Sequence, residues 1–183
     1  MNILRRCAVT AAAALLLASC GGVQVADYAN QSPQLDIERY FNGPLEVHGM
    51  FQKRGGEVAK RFTVDMHGSW RGGTGTLDET FRYSDGTQQR RTWTLRRVAP
   101  GRYEGTAHDV VGKADVEVAG NAMRLRYVLA LPVNGKTYDI RFDDWLYLID
   151  DKVMLNRASM SKFGFEVGTL TVAFRKLGAA DAP

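Results

Sequence analysis

Leu77-Asp78-Glu79-Thr80-Phe81-Arg82-Tyr83-Ser84-Asp85-Gly86-Thr87-Gln88-Gln89-Arg90-Arg91-Thr92-Trp93-Thr94-Leu95 reads as two strands folded back on each other at Asp85-Gly86. Two registers are open to it. A two-residue Asp85-Gly86 loop sets Phe81 opposite Arg90 and Trp93 opposite Asp78. A three-residue Ser84-Asp85-Gly86 loop, with Gly86 left-handed, sets Leu77 opposite Trp93 and Glu79 opposite Arg91. A slip of one residue turns every side chain to the other face. The second register groups the apolar side chains and pairs the charges, so it is the one expected. It predicts an inward face of Leu77, Glu79, Phe81 and Tyr83 on one strand, facing Arg91, Trp93 and Leu95 on the next.

The same punctuation runs through the chain from Leu45 onward. Extended runs alternate with turns at Gly55-Gly56, Arg71-Gly72-Gly73, Pro100-Gly101, Gly120-Asn121, Asn134-Gly135 and Asp150-Asp151. Strands are expected at 45–54, 57–70, 75–84, 87–98, 102–109, 113–119, 122–131, 136–144, 145–150, 152–160 and 167–177. Some neighbours are one bent strand, so the expected number is about eight to ten. Phe62, Val64 and Met66 alternate with Thr63 and Asp65, and Met123, Leu125, Tyr127 and Leu129 alternate with Arg124 and Arg126. No helical pattern separates the strands, which argues against βαβ units. A meander this long has an edge problem that closure solves. The fold class expected is therefore all-β, an antiparallel up-and-down β-barrel, with a short N-terminal helix over Leu35–Phe41 ended by Asn42-Gly43-Pro44.

The N-terminus carries an address. Arg5 and Arg6, an apolar run from Ala8 to Leu17, and Leu17-Ala18-Ser19-Cys20 follow one another as in a secretory leader. That order resembles the lipobox of bacterial lipoproteins, which implies cleavage before Cys20 and lipidation of Cys20 with diacylglycerol and a palmitate-like acyl chain. The other reading is an ordinary cleaved signal. The division expected is a signal peptide at 1–19, a lipidated cysteine and flexible tether at 20–33, the barrel at 34–178 and a disordered tail at 179–183. Gly21 in place of Asp favours, by the same resemblance, the periplasmic face of the outer membrane. Of the two cysteines, Cys7 leaves with the leader and Cys20 takes the lipid. That excludes a disulfide scaffold, a thiolate metal site and a thiol nucleophile. Losing Arg5 and Arg6 also lowers the net charge of +4 by two, which gives a nucleic-acid partner no support. A monomer touching the membrane through its anchor is expected. The outward polar faces are those of a water-soluble barrel, because a bilayer-spanning one needs apolar residues outside.

Six residues are candidates for a ligand-binding interior: Glu79, Phe81, Tyr83, Arg91, Trp93 and Arg157. A Glu79–Arg91 pair inside a small barrel either anchors the polar head of an amphipathic ligand or fixes strand register. Arg157 shares a face with Val153 and Leu155, and so joins the candidates unless that face turns outward. His48, His67 and His108 lack metal-ligand spacing, and no metal or cofactor is expected. Asp109, Asp143 and Asp144 are carboxylates available for acid–base work. Asp143-Asp144-Trp145 also reads as a strand bend with an aromatic plug, and no nucleophile elbow, P-loop or dinucleotide fingerprint is present. No catalytic residue is assigned.

Several pieces together resemble an uncharacterised family of proteobacterial lipoproteins, domain of unknown function 3833. They are Glu79-x-Phe81-x-Tyr83-x-Asp85-Gly86, Arg91-x-Trp93, Tyr103-x-Gly105-x-Ala107-x-Asp109-Val110-x-Gly112-x-Ala114, Asp143-Asp144-Trp145 and Asn156-Arg157-Ala158-x-Met160-x-Lys162-Phe163-Gly164. The resemblance, from about Phe41 to Leu177, implies a lipocalin-like barrel on a lipoprotein and transfers no catalytic residue. It also brings a loose association with fatty-acyl modification. Three functions follow: a carrier of a fatty-acyl or other amphipathic molecule, an enzyme acting on such a molecule through Glu79, Asp109 or Asp143, or a structural and assembly lipoprotein with a filled barrel.

Overall fold

A computed structural model describes residues 22–133 and 135–178. The segments expected to be a signal peptide (1–19) and a disordered tail (179–183), and Cys20, lie outside the described residues.

Ten strands follow in chain order: β1 (Gly43–Lys53), β2 (Val58–Arg71), β3 (Thr74–Tyr83), β4 (Gln88–Ala99), β5 (Arg102–Thr106), β6 (Ala114–Ala119), β7 (Ala122–Val133), β8 (Lys136–Leu148), β9 (Val153–Lys162) and β10 (Phe165–Lys176). Each pairs antiparallel with its neighbours in sequence, and β1 pairs with β10 from Leu45 opposite Lys176 to Lys53 opposite Gly168. The ring is closed, so each of these strands has a partner on both sides. The segments expected at 136–144 and 145–150 are one strand, β8.

The three-residue loop is the observed one. Leu77 lies opposite Trp93 and Glu79 opposite Arg91. The Tyr83 amide donates to the Thr87 carbonyl at 2.9 Å, and Gly86 takes φ 84°, a conformation open to glycine at little cost. Alternation then sorts the walls. Along β2, Phe62, Val64 and Met66 are buried, while Thr63, Asp65 and His67 are exposed. This is the reverse of the arrangement a bilayer-spanning barrel requires.

One end of the barrel is plugged by the chain that precedes β1. The helix is shorter than expected, α1 (Ile37–Tyr40), with the Asp36 carboxylate accepting from the amides of Glu38 and Arg39. Leu35, Ile37, Tyr40 and Phe41 are buried in the core. The Tyr40 hydroxyl donates to the Lys152 carbonyl at 3.1 Å, and the Trp70 indole to the Phe41 carbonyl at 3.3 Å. The plug sits so close to β2 that a Cβ at Gly68 would collide with the Phe41 carbonyl oxygen.

The stretch read as a flexible tether is partly structured. Val25–Tyr28 forms a 3-10 turn whose Val25 is buried, and the Tyr28 ring lies 5.3 Å from that of Tyr147 and 6.1 Å from that of Trp145. The few apolar side chains of this segment show no period. The turn docks against β6 and β7, and Tyr28 against β8, on a surface that local sequence does not reveal.

Candidate functional site

The barrel interior encloses a cavity of about 110 Å³. It runs from Phe41 on the plug to Phe62 and Phe81 near the other end. Its lining is apolar except for Glu79, Tyr127, Asp144 and Asn156. These come from β3, β7, β8 and β9. In the ring of ten, β3 and β8 are five places apart in either direction, so Glu79 and Asp144 project from opposite walls.

Glu79 is nine-tenths buried because the preferred register turns it inward between Leu77 and Phe81. Its neighbour across the hairpin, Arg91, is the expected one, but the partnership differs. The Arg91 guanidinium approaches Glu79 only to 3.9 Å and grips Asp109 instead, through Nη2 at 2.6 Å and Nε at 3.1 Å. Asp109 arrives on the 107–113 connection, which is fastened to β7 by the Val111 amide on the Val128 carbonyl and the Ala130 amide on the Asp109 carbonyl, each at 2.9 Å. Bidentate guanidinium–carboxylate geometry is the stronger pairing, and it leaves Glu79 Oε2 with no hydrogen bond. Arg91 and Asp109 do not line the cavity. Burial raises the Glu79 carboxyl to about 7. The Arg91 charge opposes that rise, and Asp109 adds to it.

Asp144 is the second buried carboxyl, 6% exposed. Of the pair Asp143-Asp144, the outer member binds Arg124 at 2.6 and 2.7 Å, while the inner one accepts from the Tyr127 hydroxyl at 3.0 Å. Asp144 Oδ1 has no partner. Burial again raises the carboxyl to about 7, against the Tyr127 hydrogen bond and with a contribution from Asp143. Asn156 completes the polar group, and its side-chain amide donates to the Trp145 carbonyl at 3.3 Å.

Five of the six expected interior residues face inward together. Phe81 and Trp93 are buried, Phe81 stacks on Tyr83 with centroids 5.9 Å apart, and Trp93 meets Tyr127 edge-on at 5.4 Å. The Arg91 guanidinium lies 5.3 Å above the Phe81 ring. Tyr83, toward the end away from the plug, is half-buried and donates to Gln89 at 3.0 Å.

Arg157 does not join them. It is exposed on the outer wall, paired across strands with Trp145, and Asn156 takes the inward place. The Val153-Leu155-Arg157 face is the outer one because Met154, Asn156 and Ala158 are the buried set. Asn156, Tyr127 and Asp144 are the polar cavity residues that the six did not include. His48, His67 and His108 are all exposed, and among the described residues no group of three or more metal-ligand side chains converges.

The family model for Protein of unknown function (DUF3833) matches residues 14–176. The chain belongs to that family. No sequence match emerges among curated proteins. Among solved structures the fold is similar to an S-type phycobiliprotein lyase, CPES, from Guillardia theta. The TM-score is 0.57 at 6% identity, over 85% of this chain and 99% of that one. A de novo designed fluorescence-activating β-barrel aligns with TM-score 0.44 at 14% identity, over 78% of this chain and 99% of the design. The lyase likeness places the family member among lipocalin-like closed barrels.

Proposed function

We propose that this family member is a lipid-anchored periplasmic barrel that binds one compact amphipathic small molecule in its interior. The observation that carries the reading is the cavity itself: an apolar enclosure lined by two buried carboxyl oxygens that make no hydrogen bond. Buried polar atoms are hydrogen-bonded in the great majority of cases, so two that are not, on facing walls of one void, mark a place that a polar guest or ordered water fills. The fold shared with the lyase supports the reading, because small closed barrels of this kind can hold one small ligand. The lipobox stretch Leu17-Ala18-Ser19-Cys20 supports the anchor and the outer-membrane location.

Size sets the ligand. A volume of about 110 Å³ is somewhat below the ~150 Å³ in which an apolar cavity holds benzene. Drug-sized ligands occupy pockets of roughly 300 Å³ and more, so a long fatty-acyl chain would have to displace side chains. A polar head with a few carbons would not. The same modest volume favours, as the second reading, a structural lipoprotein whose barrel is filled by its own side chains.

Native mass spectrometry of the full chain carrying Cys20→Ser, which cannot be acylated, separates the two. The binding reading expects a co-purified adduct, lost when Val172→Phe fills the void. A clean apo mass from several lysates supports the filled barrel. The anchor has its own test: labelling cells with radioactive palmitate should mark the unaltered chain and not Cys20→Ser.

A further inference from the structure

Resting on the ligand-binding reading, we infer that the head group this interior accepts is a hydrogen-bond donor, an ammonium, with Glu79 on β3 and Asp144 on β8 as its acceptors.

The inventory of free polar atoms decides this. The Tyr127 hydroxyl already donates to Asp144, and the Asn156 amide to the Trp145 carbonyl. The nearby guanidinium of Arg91 is held by Asp109 through three contacts and does not line the void. The buried atoms of the lining that make no hydrogen bond are carboxyl oxygens, Glu79 Oε2, which has only the 3.9 Å ion-pair approach of Arg91, and Asp144 Oδ1. With the Tyr127 hydroxyl already engaged and two buried carboxyl groups short of a hydrogen bond, the lining is richer in acceptors than in donors, which favours a guest that donates.

Charge points the same way. Arg91 and Asp109 cancel, which leaves Glu79 and Asp144 as the charges a guest would meet. A carboxylate head would face two carboxyls, with the nearby guanidinium already neutralised, so like-charge repulsion disfavours it. A hydroxyl or carbonyl head makes one neutral hydrogen bond and leaves the opposite carboxyl unmet. An ammonium carries three donors and makes charge-assisted bonds roughly twice as strong as neutral ones. The rings of Trp93, Phe81 and Tyr127 line the same space and attract a cation with their faces. Burial leaves both carboxyls half-protonated near neutral pH. An entering ammonium ionises them against the weight of Asp109 and Asp143, with Arg91 on its side, and so releases protons.

Butylamine, butyrate and butanol share one apolar body and differ only in the head. Each is titrated into the isotope-labelled full chain at millimolar concentrations near pH 7, with the Trp93 indole signal as the probe. The expected result is binding by butylamine at least about tenfold tighter than by either of the others, with proton release on binding. Glu79→Gln and Asp144→Asn, which keep side-chain shape, should each weaken the amine about tenfold or more and weaken butanol by a clearly smaller factor, because its neutral hydrogen bond survives an amide in place of the carboxyl. If butyrate or butanol binds as tightly as butylamine, the donor-head assignment falls while the ligand-binding reading stands. If none of the three shifts the Trp93 signal, the ligand-binding reading itself falls. The comparison of heads on the unaltered protein is decisive even where a variant misfolds.

Discussion

Replacing Glu79 by Gln tests the interior without any ligand. Gln keeps the size of the side chain and can still hydrogen-bond, but it cannot ionise. In the folded barrel the Glu79 carboxyl sits at about 7 against an ordinary 4.5. Its raised value means that the protonated form is the one the fold tolerates. The full stability is present below the unfolded value and is lost as pH rises through the folded one. At about 1.4 kcal/mol for each pKa unit, ionising Glu79 in place costs on the order of 3 kcal/mol at about pH 8 and under about 1 kcal/mol at about pH 5. Asp144 carries a similar penalty in both proteins and cancels from the comparison. Urea unfolding of wild type and Glu79→Gln at the two pH values should therefore show a gain for the variant that grows by roughly 2–3 kcal/mol from the lower to the higher. A difference of equal size at both pH values would refute the reasoning, because it would mean that Glu79 is not held protonated by burial.

Asp109→Asn leaves the Arg91 guanidinium without its bidentate partner and frees it for Glu79, 3.9 Å away. The Glu79 carboxyl should then titrate well below 7 in a carbon-detected NMR titration, and stability should fall by about 3 kcal/mol or somewhat less if Glu79 compensates. Gly68→Ala forces a methyl group into the Phe41 carbonyl. It should cost about 1–3 kcal/mol in urea unfolding and raise amide exchange in residues 35–41 ahead of the rest of the barrel. Phe163, at the β9–β10 turn, has φ 51° and is 87% exposed. Phe163→Gly removes a left-handed strain of about 1–2 kcal/mol from a side chain with almost no packing to lose, so thermal unfolding should shift upward by a few degrees.

The hairpin at residues 77–95 is legible in detail because two independent constraints, the apolar grouping and the charge pairing, select the same register. Where only one constraint operates, period-two alternation specifies two faces and not which of them is inside. Asn156 and Arg157 show the consequence. Val153 and Leu155 suggest that Arg157 points inward, yet Met154 and Ala158 are the buried set, and Leu155 is an apolar residue on the outside. Asp143 and Asp144 pose the same choice, settled by Arg124 across the strand pair drawing one of them out. The partner of Arg91 is hidden for another reason. Asp109 lies eighteen positions away on a connection whose path is set by its hydrogen bonds to β7. The docking of Val25 and Tyr28 depends likewise on a surface assembled from distant sequence.

The pairing of β1 with β10 has a consequence for how the chain must be made. The first strand synthesised is sealed by the last, so the wall around the interior is incomplete until Lys176 has emerged. A chain ending before Phe165 would have nine strands and two bare edges, on β1 and β9, each a template for pairing with another molecule. Contacts between strands so far apart in sequence also make closure slow relative to local hairpins. Folding is therefore complete only once β10 is available to pair, and nonsense truncations ahead of it should aggregate rather than accumulate as smaller barrels.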